Sequence, residues 1–173
     1  MTAIDDAIRS RRTHKAFGPD PVANDVLLEL FELARWAPNH HLTDPWRFRV
    51  LGPAAREALK QAAEEAKPGS GAKLDRAPTL IVVSARQNGD AEQDHEDVLA
   101  TAVAAYIVLL GAHARGLAGY WRTLGVIASP AGRAATQLPD DELPIGLLHL
   151  GDPRQEQRVP ERAPVAEIAM FLD

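Results

Sequence analysis

Near the start of the chain, Ser10-Arg11-Arg12-Thr13-His14-Lys15-Ala16-Phe17 packs four cationic or potentially cationic side chains and two hydroxyls into eight residues. The arginine fork matches phosphate oxygens two at a time. The run therefore reads as one wall of a pocket for an anionic, phosphate-bearing cofactor. It also lies where a short helix should end. Lys and Arg are favoured at the negative end of a helix dipole whether or not a ligand binds. A solvated basic patch is thus the alternative reading, and any anion held here must be held by side chains.

Four other stretches carry chemistry-bearing types. Trp121-Arg122-Thr123 follows an apolar run, so Arg122 can present a cation at a strand end, where α/β sheets place ligands. An aromatic core anchor beside an exposed arginine explains the same residues. Asn39-His40-His41-Leu42-Thr43-Asp44-Pro45-Trp46 is a loop ahead of a strand, and such loops often carry function. Adjacent histidines rarely point the same way and no third ligand has helical spacing, so no metal site is expected. His40 or His41 better suits a hydrogen bond to a ligand. Asp94-His95-Glu96-Asp97 reads as an exposed acidic helix start, and Asp140-Asp141-Glu142 as a solvated turn. His113 and His149 have apolar surroundings and read as satisfied core residues. No Gly-x-Gly-x-x-Gly, no phosphate-binding Gly-Lys-Ser/Thr loop and no Gly-x-Ser-x-Gly elbow occurs, which disfavours a classical dinucleotide domain and a serine hydrolase.

The elements that must position these residues are set by periodicity and breakers. Helices are expected over residues 4–12, 24–37 (with Asn24 as the cap), 53–66 and 94–115, and a short one opening at Pro130. Strands are expected over residues 46–51, 79–84, 117–121 and 144–150, with 67–71 a flexible loop and a charged tail after Pro153. From Val98 to Ala112 the long helix is apolar nearly all round, which requires burial in a core or a subunit interface. The order of elements describes an α+β or α/β domain, one sheet with helices packed on it, spanning 1–173 without repeat or second domain.

Composition narrows the function. Of 173 residues 46% are hydrophobic and 25% charged, and the net charge is −5. An acidic chain is a poor partner for nucleic acid or an anionic membrane surface, so neither is expected. There is no cysteine, which excludes disulfides, thiolate nucleophiles, Cys-ligated zinc and iron–sulfur clusters. Residues 1–6 are acidic and carry no apolar h-region, and the apolar run 98–112 is shorter than the roughly 20 residues of a bilayer span. A cytoplasmic location is expected.

Four of these stretches, in order, resemble the nitroreductase superfamily of flavin-dependent NAD(P)H oxidoreductases, in its short single-domain form. Arg11-Arg12-Thr13-x-Lys15-x-Phe17 resembles the opening signature, and Ala37-Pro38 with Pro45-Trp46 the second. Gly111 to Leu117 followed by Gly119-Tyr120-Trp121-Arg122-Thr123 is similar to the third, and Leu147 to Pro153 to the closing strand and turn. The resemblance implies an α+β sandwich with a mainly antiparallel sheet, forming an intertwined homodimer with FMN at the interface and the long apolar helix in the dimer core. It implies that Arg11, Arg12 and Arg122 hold the FMN phosphate and that Thr13 and Lys15 reach the ribityl chain and the pyrimidine edge. It further implies that His40 of the partner subunit meets the ring edge and that Trp121 and Thr123 line the phosphate end. NADH or NADPH is the implied donor, and nitroaromatics, quinones or related compounds the acceptors, in a ping-pong sequence. The flavin carries the redox chemistry, so no catalytic side chain is named.

The second signature departs from the family where an amide is usual, with Leu42 and Asp44 there instead. Leu42 cannot hydrogen-bond a flavin, and Asp44 places a negative charge near it. Two alternatives therefore stand beside the enzyme reading. One is a flavin-binding protein that stores, senses or modifies flavin with weak or no NAD(P)H turnover. The other is a non-enzymatic binding domain whose basic run is a surface patch.

Overall fold

Four strands, the central two rich in branched apolar residues and the outer two carrying aromatics, make the sheet: β1 (Trp46–Val50), β2 (Thr79–Arg86), β3 (Ala118–Arg122) and β4 (Glu142–Gly151). Their spatial order is β1-β2-β4-β3 and every neighbouring pair is antiparallel. Six helices accompany them: α1 (Ala3–Ser10), α2 (Asn24–Ala34), α3 (Pro53–Ala66), α4 (Ala91–Ala114), α5 (Pro130–Thr136) and α6 (Val165–Ile168). The expected α+β class is observed. The computed structural model describes residues 2–172; Met1 and Asp173, the two ends of the span read as one domain, lie outside the described residues.

Successive strand residues face opposite ways, and this alternation divides the interior into two cores. Ile81, Val83, Leu148 and Leu150 face α2 and α4, with Phe48 and Trp121 packed beside them. Leu80, Val82, Leu147 and Ala118 face the other way, onto Leu59 of α3, Leu74, Ile127 and Leu138. The central strand β2 is buried over Thr79–Ala85, as its unbroken apolar run demands.

Several boundaries differ from the sequence expectation, each for a local reason. Helix α1 stops at Ser10, not at 12, because Arg11 leaves in an extended conformation (φ −56°, ψ 131°). Asn24 is the first helical residue of α2, which ends at Ala34, and Ala23 precedes it with no side-chain cap. Helix α4 starts three residues earlier than expected because Asp90 caps it, its carboxylate accepting from Glu92 N at 3.0 Å and Gln93 N at 3.1 Å. At 24 residues α4 is long and apolar enough to cross a bilayer, which the apolar run alone was not, but half of its apolar window is buried against the rest of the fold. Residues 67–71, read as flexible, are pinned by Glu64, which accepts from Gly69 N and Gly71 N at 2.7 and 3.0 Å. Residues 71–76 then form a 3-10 turn.

Strand β4 begins at Glu142 rather than Pro144. A register shift opposite Val83 and Ser84 leaves Ile145 unpaired with β2. Pro144 is tolerated because β3 pairs only with Leu147–Gly151, so Pro144 has a free edge on that side. Glu142 is not solvated as expected. It is buried and receives both arms of Arg49, at 2.6 and 2.7 Å, and the Ser84 hydroxyl at 2.5 Å. Asp97 is likewise buried rather than exposed: Thr43 and Gln93 donate to it at 2.5 and 3.0 Å.

His149 is buried as expected but not satisfied. It is 1% exposed, and neither ring nitrogen has a hydrogen-bond partner among the described residues. Burial, with the nearby charges of Arg122, Arg56 and Arg76, pushes its pKa down to about 4. The folded state therefore binds this proton less well than the unfolded chain. The resulting stability is present above the ordinary histidine range and is lost as pH falls from about 6.5 towards 4, a drop on the order of 3 kcal/mol. His149→Phe should remove that drop. Urea unfolding at pH 7 and 4.5 measures it, and an equal fall in wild type and variant would refute the assignment.

Candidate functional site

Because α1 ends early, the basic run is not on a helix. His14 N donates to Gly119 O at 3.1 Å, and Thr13 bridges Gly119 in parallel sense. The run thus lies along the free edge of β3, three residues short of Arg122. Gly119 permits the close packing there: a Cβ at this position would meet Leu109 Cδ2 at 2.8 Å.

Arg11 and Arg12 take different roles. Arg12 Nη1 donates to Arg9 O at 2.5 Å and Arg11 O at 3.0 Å, so it satisfies carbonyls at the helix end. Arg11 is half-buried over α4, with its guanidinium 5.7 Å from the centroid of the Tyr106 ring. Its Nη1 donates to Arg12 O at 3.2 Å, while its buried Nε has no partner. Thr13 and Lys15 are exposed. No carboxylate pairs with Arg11, Arg12, Lys15 or Arg122 among the described residues.

The pleat separates Trp121 from Arg122. Trp121 faces the α2–α4 core, and its indole N–H donates to Ile145 O at 3.3 Å, the carbonyl of the residue left unpaired with β2. It lies over Gly146, where any Cβ would sit 2.1 Å from Nε1. Arg122, half-buried and opposite Leu147, is on the other face with Tyr120 and His149. Thr123 is exposed just past the strand end.

The local field is positive although the chain is acidic. Burial, then His113 and Arg11, hold His14 below the ordinary imidazole range. Burial, then Arg11 and Arg12, do the same to His113, whose Nε2 lies 2.7 Å from Ser10 Oγ. Tyr106 and His113 were not legible as neighbours of the run, since both are about a hundred residues away in sequence.

The loop before β1 is held in an unusual shape. His41, Leu42 and Asp44 all have positive φ, at 60°, 51° and 46°, a region that Asp and His enter more readily than Leu, so the cost falls mainly on Leu42. Asn39 Oδ1 accepts from Asp44 N at 2.8 Å, and Thr43 bonds Asp97 on α4, so the loop is fastened to the start of that helix. His40 is exposed there, with Nδ1 2.7 Å from Glu96 Oε2 and its ring stacked on His41. Glu96 and Tyr106 are ten residues apart on α4, roughly 15 Å at 1.5 Å per residue. One chain therefore brings Arg11, Thr13, Lys15 and Arg122 to one edge of the sheet and leaves His40 at the far end of α4.

This donor set fits a phosphate monoester such as FMN. The cations have no carboxylate partner among the described residues, and one buried guanidinium nitrogen lacks a partner.

Sequence and fold comparisons find relatives over nearly the whole chain. The Nitroreductase family profile matches residues 8–152. YfhC of Bacillus subtilis, a candidate NAD(P)H nitroreductase, is 25% identical over 179 aligned positions, covering 96% of this chain and 92% of that protein. A nitroreductase-like family protein from Bacillus cereus superposes with a TM-score of 0.89 at 28% identity, covering 100% of this chain and 97% of the other. A candidate nitroreductase from Desulfovibrio desulfuricans, solved in complex with FMN, shares the fold with a TM-score of 0.82 at 23% identity over 100% and 98% of the two chains.

Proposed function

This chain belongs to the nitroreductase family, and on that premise we propose that it is a cytoplasmic, homodimeric FMN-dependent NAD(P)H oxidoreductase, folded as one domain. Its acceptors are nitroaromatics, quinones or related compounds. The observation that carries the reading is the unneutralised basic edge along β3, where Arg11 and Arg122 have no carboxylate partner among the described residues in a chain of net charge −5.

Arg11 and Arg122 are the cations offered to the phosphate, Arg11 from the α4 side and Arg122 from the end of β3, with Arg12 bracing the helix end that precedes Arg11. Thr13 and Lys15 supply a hydroxyl and an ammonium for the ribityl chain and pyrimidine edge. The Lys15 cation favours the more negative, reduced form of a bound flavin and so raises its potential. Trp121 and Thr123 flank Arg122, with the indole fixing the strand that carries it. When bound, the flavin supplies the hydride and electron transfer between the nicotinamide and the acceptor. The residues of this chain bind and orient it, and none is needed as a covalent nucleophile.

The homodimer is part of the same proposal, and the roughly 15 Å along α4 between His40 and the residue beneath Arg11 supports a histidine supplied by a second copy. Leu42 and Asp44 support the second reading, a flavin-binding protein with little turnover. Both are exposed and bring no amide to the loop.

The expected result is a yellow protein after incubation with FMN and desalting, bleached promptly on anaerobic mixing with NADH or NADPH. A colourless protein that fails to take up FMN would sink the proposal, and a yellow one that does not bleach would select the second reading.

A further inference from the structure

The loop before β1 keeps a costly shape without burying the residue that bears the cost. Leu42 stands in the left-handed region at φ 51° with its side chain 80% exposed, and His41 precedes it at φ 60°. Backbone of this kind persists only where its surroundings over-determine it, and it gathers at functional positions. Here the surroundings are two neighbouring residues of α4 with different tasks. Asp97 is buried and accepts from Thr43 Oγ1 at 2.5 Å, which fixes the loop backbone. Glu96 holds a side chain instead: its Oε2 lies 2.7 Å from His40 Nδ1. One face of that imidazole is covered by the His41 ring, stacked at 3.8 Å and 25°.

This arrangement decides where the ring carries its protons. An ionised carboxylate only accepts, so Nδ1 bears the hydrogen shared with Glu96. Nε2 is then the nitrogen that can face a ligand, bare in the neutral ring and protonated in the imidazolium, whose charge Glu96 offsets. The His40 side chain is 62% exposed, so solvent can return a proton to Nε2 after one has been given up. An imidazole held by a carboxylate at one nitrogen and open at the other is a proton donor with a set direction.

We infer that His40 Nε2 delivers the proton consumed when the acceptor is reduced, with Glu96 as its positioning residue. This rests on the reading that His40 of the partner subunit reaches the flavin site. Reduction of a nitro to a nitroso group takes up one hydride, supplied by NADH or NADPH, and one proton. One N–O bond breaks and both hydrogens leave in a water molecule. The nitro nitrogen gains two electrons, the nicotinamide loses them, and His40 is left as the neutral ring. A quinone also takes up a hydride and a proton, so one donor serves both acceptor classes.

Ferricyanide takes single electrons and no proton, and it therefore isolates this step. Reduced, FMN-loaded protein is mixed with a nitroaromatic or with ferricyanide, and reoxidation is followed by stopped-flow absorbance. His40→Gln should lower the nitroaromatic rate by about tenfold or more relative to the ferricyanide rate. In heavy water only the nitroaromatic rate of the wild type should fall. Glu96→Gln should lower the same ratio by a smaller factor. Long-range proton–nitrogen NMR reads the tautomer without flavin: neutral His40 should carry its hydrogen on Nδ1, and Glu96→Gln should move it toward Nε2. Rates that fall together for both acceptors in His40→Gln would overturn the proposal, because the side chain then only shapes the site. So would a wild-type ring with Nδ1 bare. A protein that takes up FMN and is bleached by NADH or NADPH but fails these tests loses the proton role and keeps the flavin reading. One that takes up no FMN loses both.

Discussion

Replacing Arg11 and Arg122 together by alanine should yield a folded protein that no longer retains FMN. Each guanidinium contributes a charge-assisted hydrogen bond to phosphate worth about 1.5–3 kcal/mol, or roughly 10- to 150-fold in affinity. Arg11 follows the end of α1 and Arg122 ends β3, and because both are assigned to one phosphate their losses should be coupled rather than additive, which the two single variants measure. Fluorescence titration with FMN measures the effect, and riboflavin, which lacks the phosphate, serves as the comparator. Wild type and double variant should differ strongly for FMN and little for riboflavin. Equal losses for both ligands would show that the arginines shape the site rather than bind phosphate. Arg12→Ala should behave differently, because Arg12 Nη1 holds Arg9 O and Arg11 O. Its removal should mainly cost stability.

Glu142→Ala is the second large effect, and it falls on the fold. Burial works to raise the Glu142 pKa, but the bonds from Arg49 and Ser84 and the charges of Arg49 and Arg47 outweigh it and hold the carboxyl below its usual range. Removing the carboxylate leaves a three-quarters-buried guanidinium and the fully buried Ser84 hydroxyl without their partner. Breaking such a pair costs about 3–5 kcal/mol, which for a chain of this size is on the order of 10 °C in Tm. Because the folded-state pKa is lowered, this stability is present above the ordinary carboxylate range and is lost as pH falls below it. The difference between wild type and Glu142→Ala in urea unfolding should therefore be large at pH 7 and shrink below about pH 4. A difference under about 1 kcal/mol at pH 7 would contradict the assignment.

The two predictions draw on opposite kinds of legibility. The cations of the candidate site were visible as residue types, and the family signatures placed them in order. Glu142 was not visible. Beside Asp140 and Asp141 it reads as one more solvated acid, and only pairing of β1 and β4 with β2 brings Arg49 to it. Asp97 misleads in the same way, because an acidic first turn suits a helix dipole whether or not one member turns inward to hold a loop.

By itself the sequence determined the element types, the α+β class, the burial of β2 and the family. Periodicity, proline and glycine breakers and signature spacing are local properties, and they survive without knowledge of partners. Tertiary structure decided where the candidate residues lie. Ending α1 at Ser10 laid Arg11 over Tyr106 of α4 while Arg12 folded back on the helix end. The strand pleat sent Trp121 and Arg122 to opposite faces. The loop before β1 set His40 beside Glu96, roughly 15 Å along α4 from Tyr106 beneath Arg11. These are consequences of chain direction and of distances between elements remote in sequence, which no local pattern encodes.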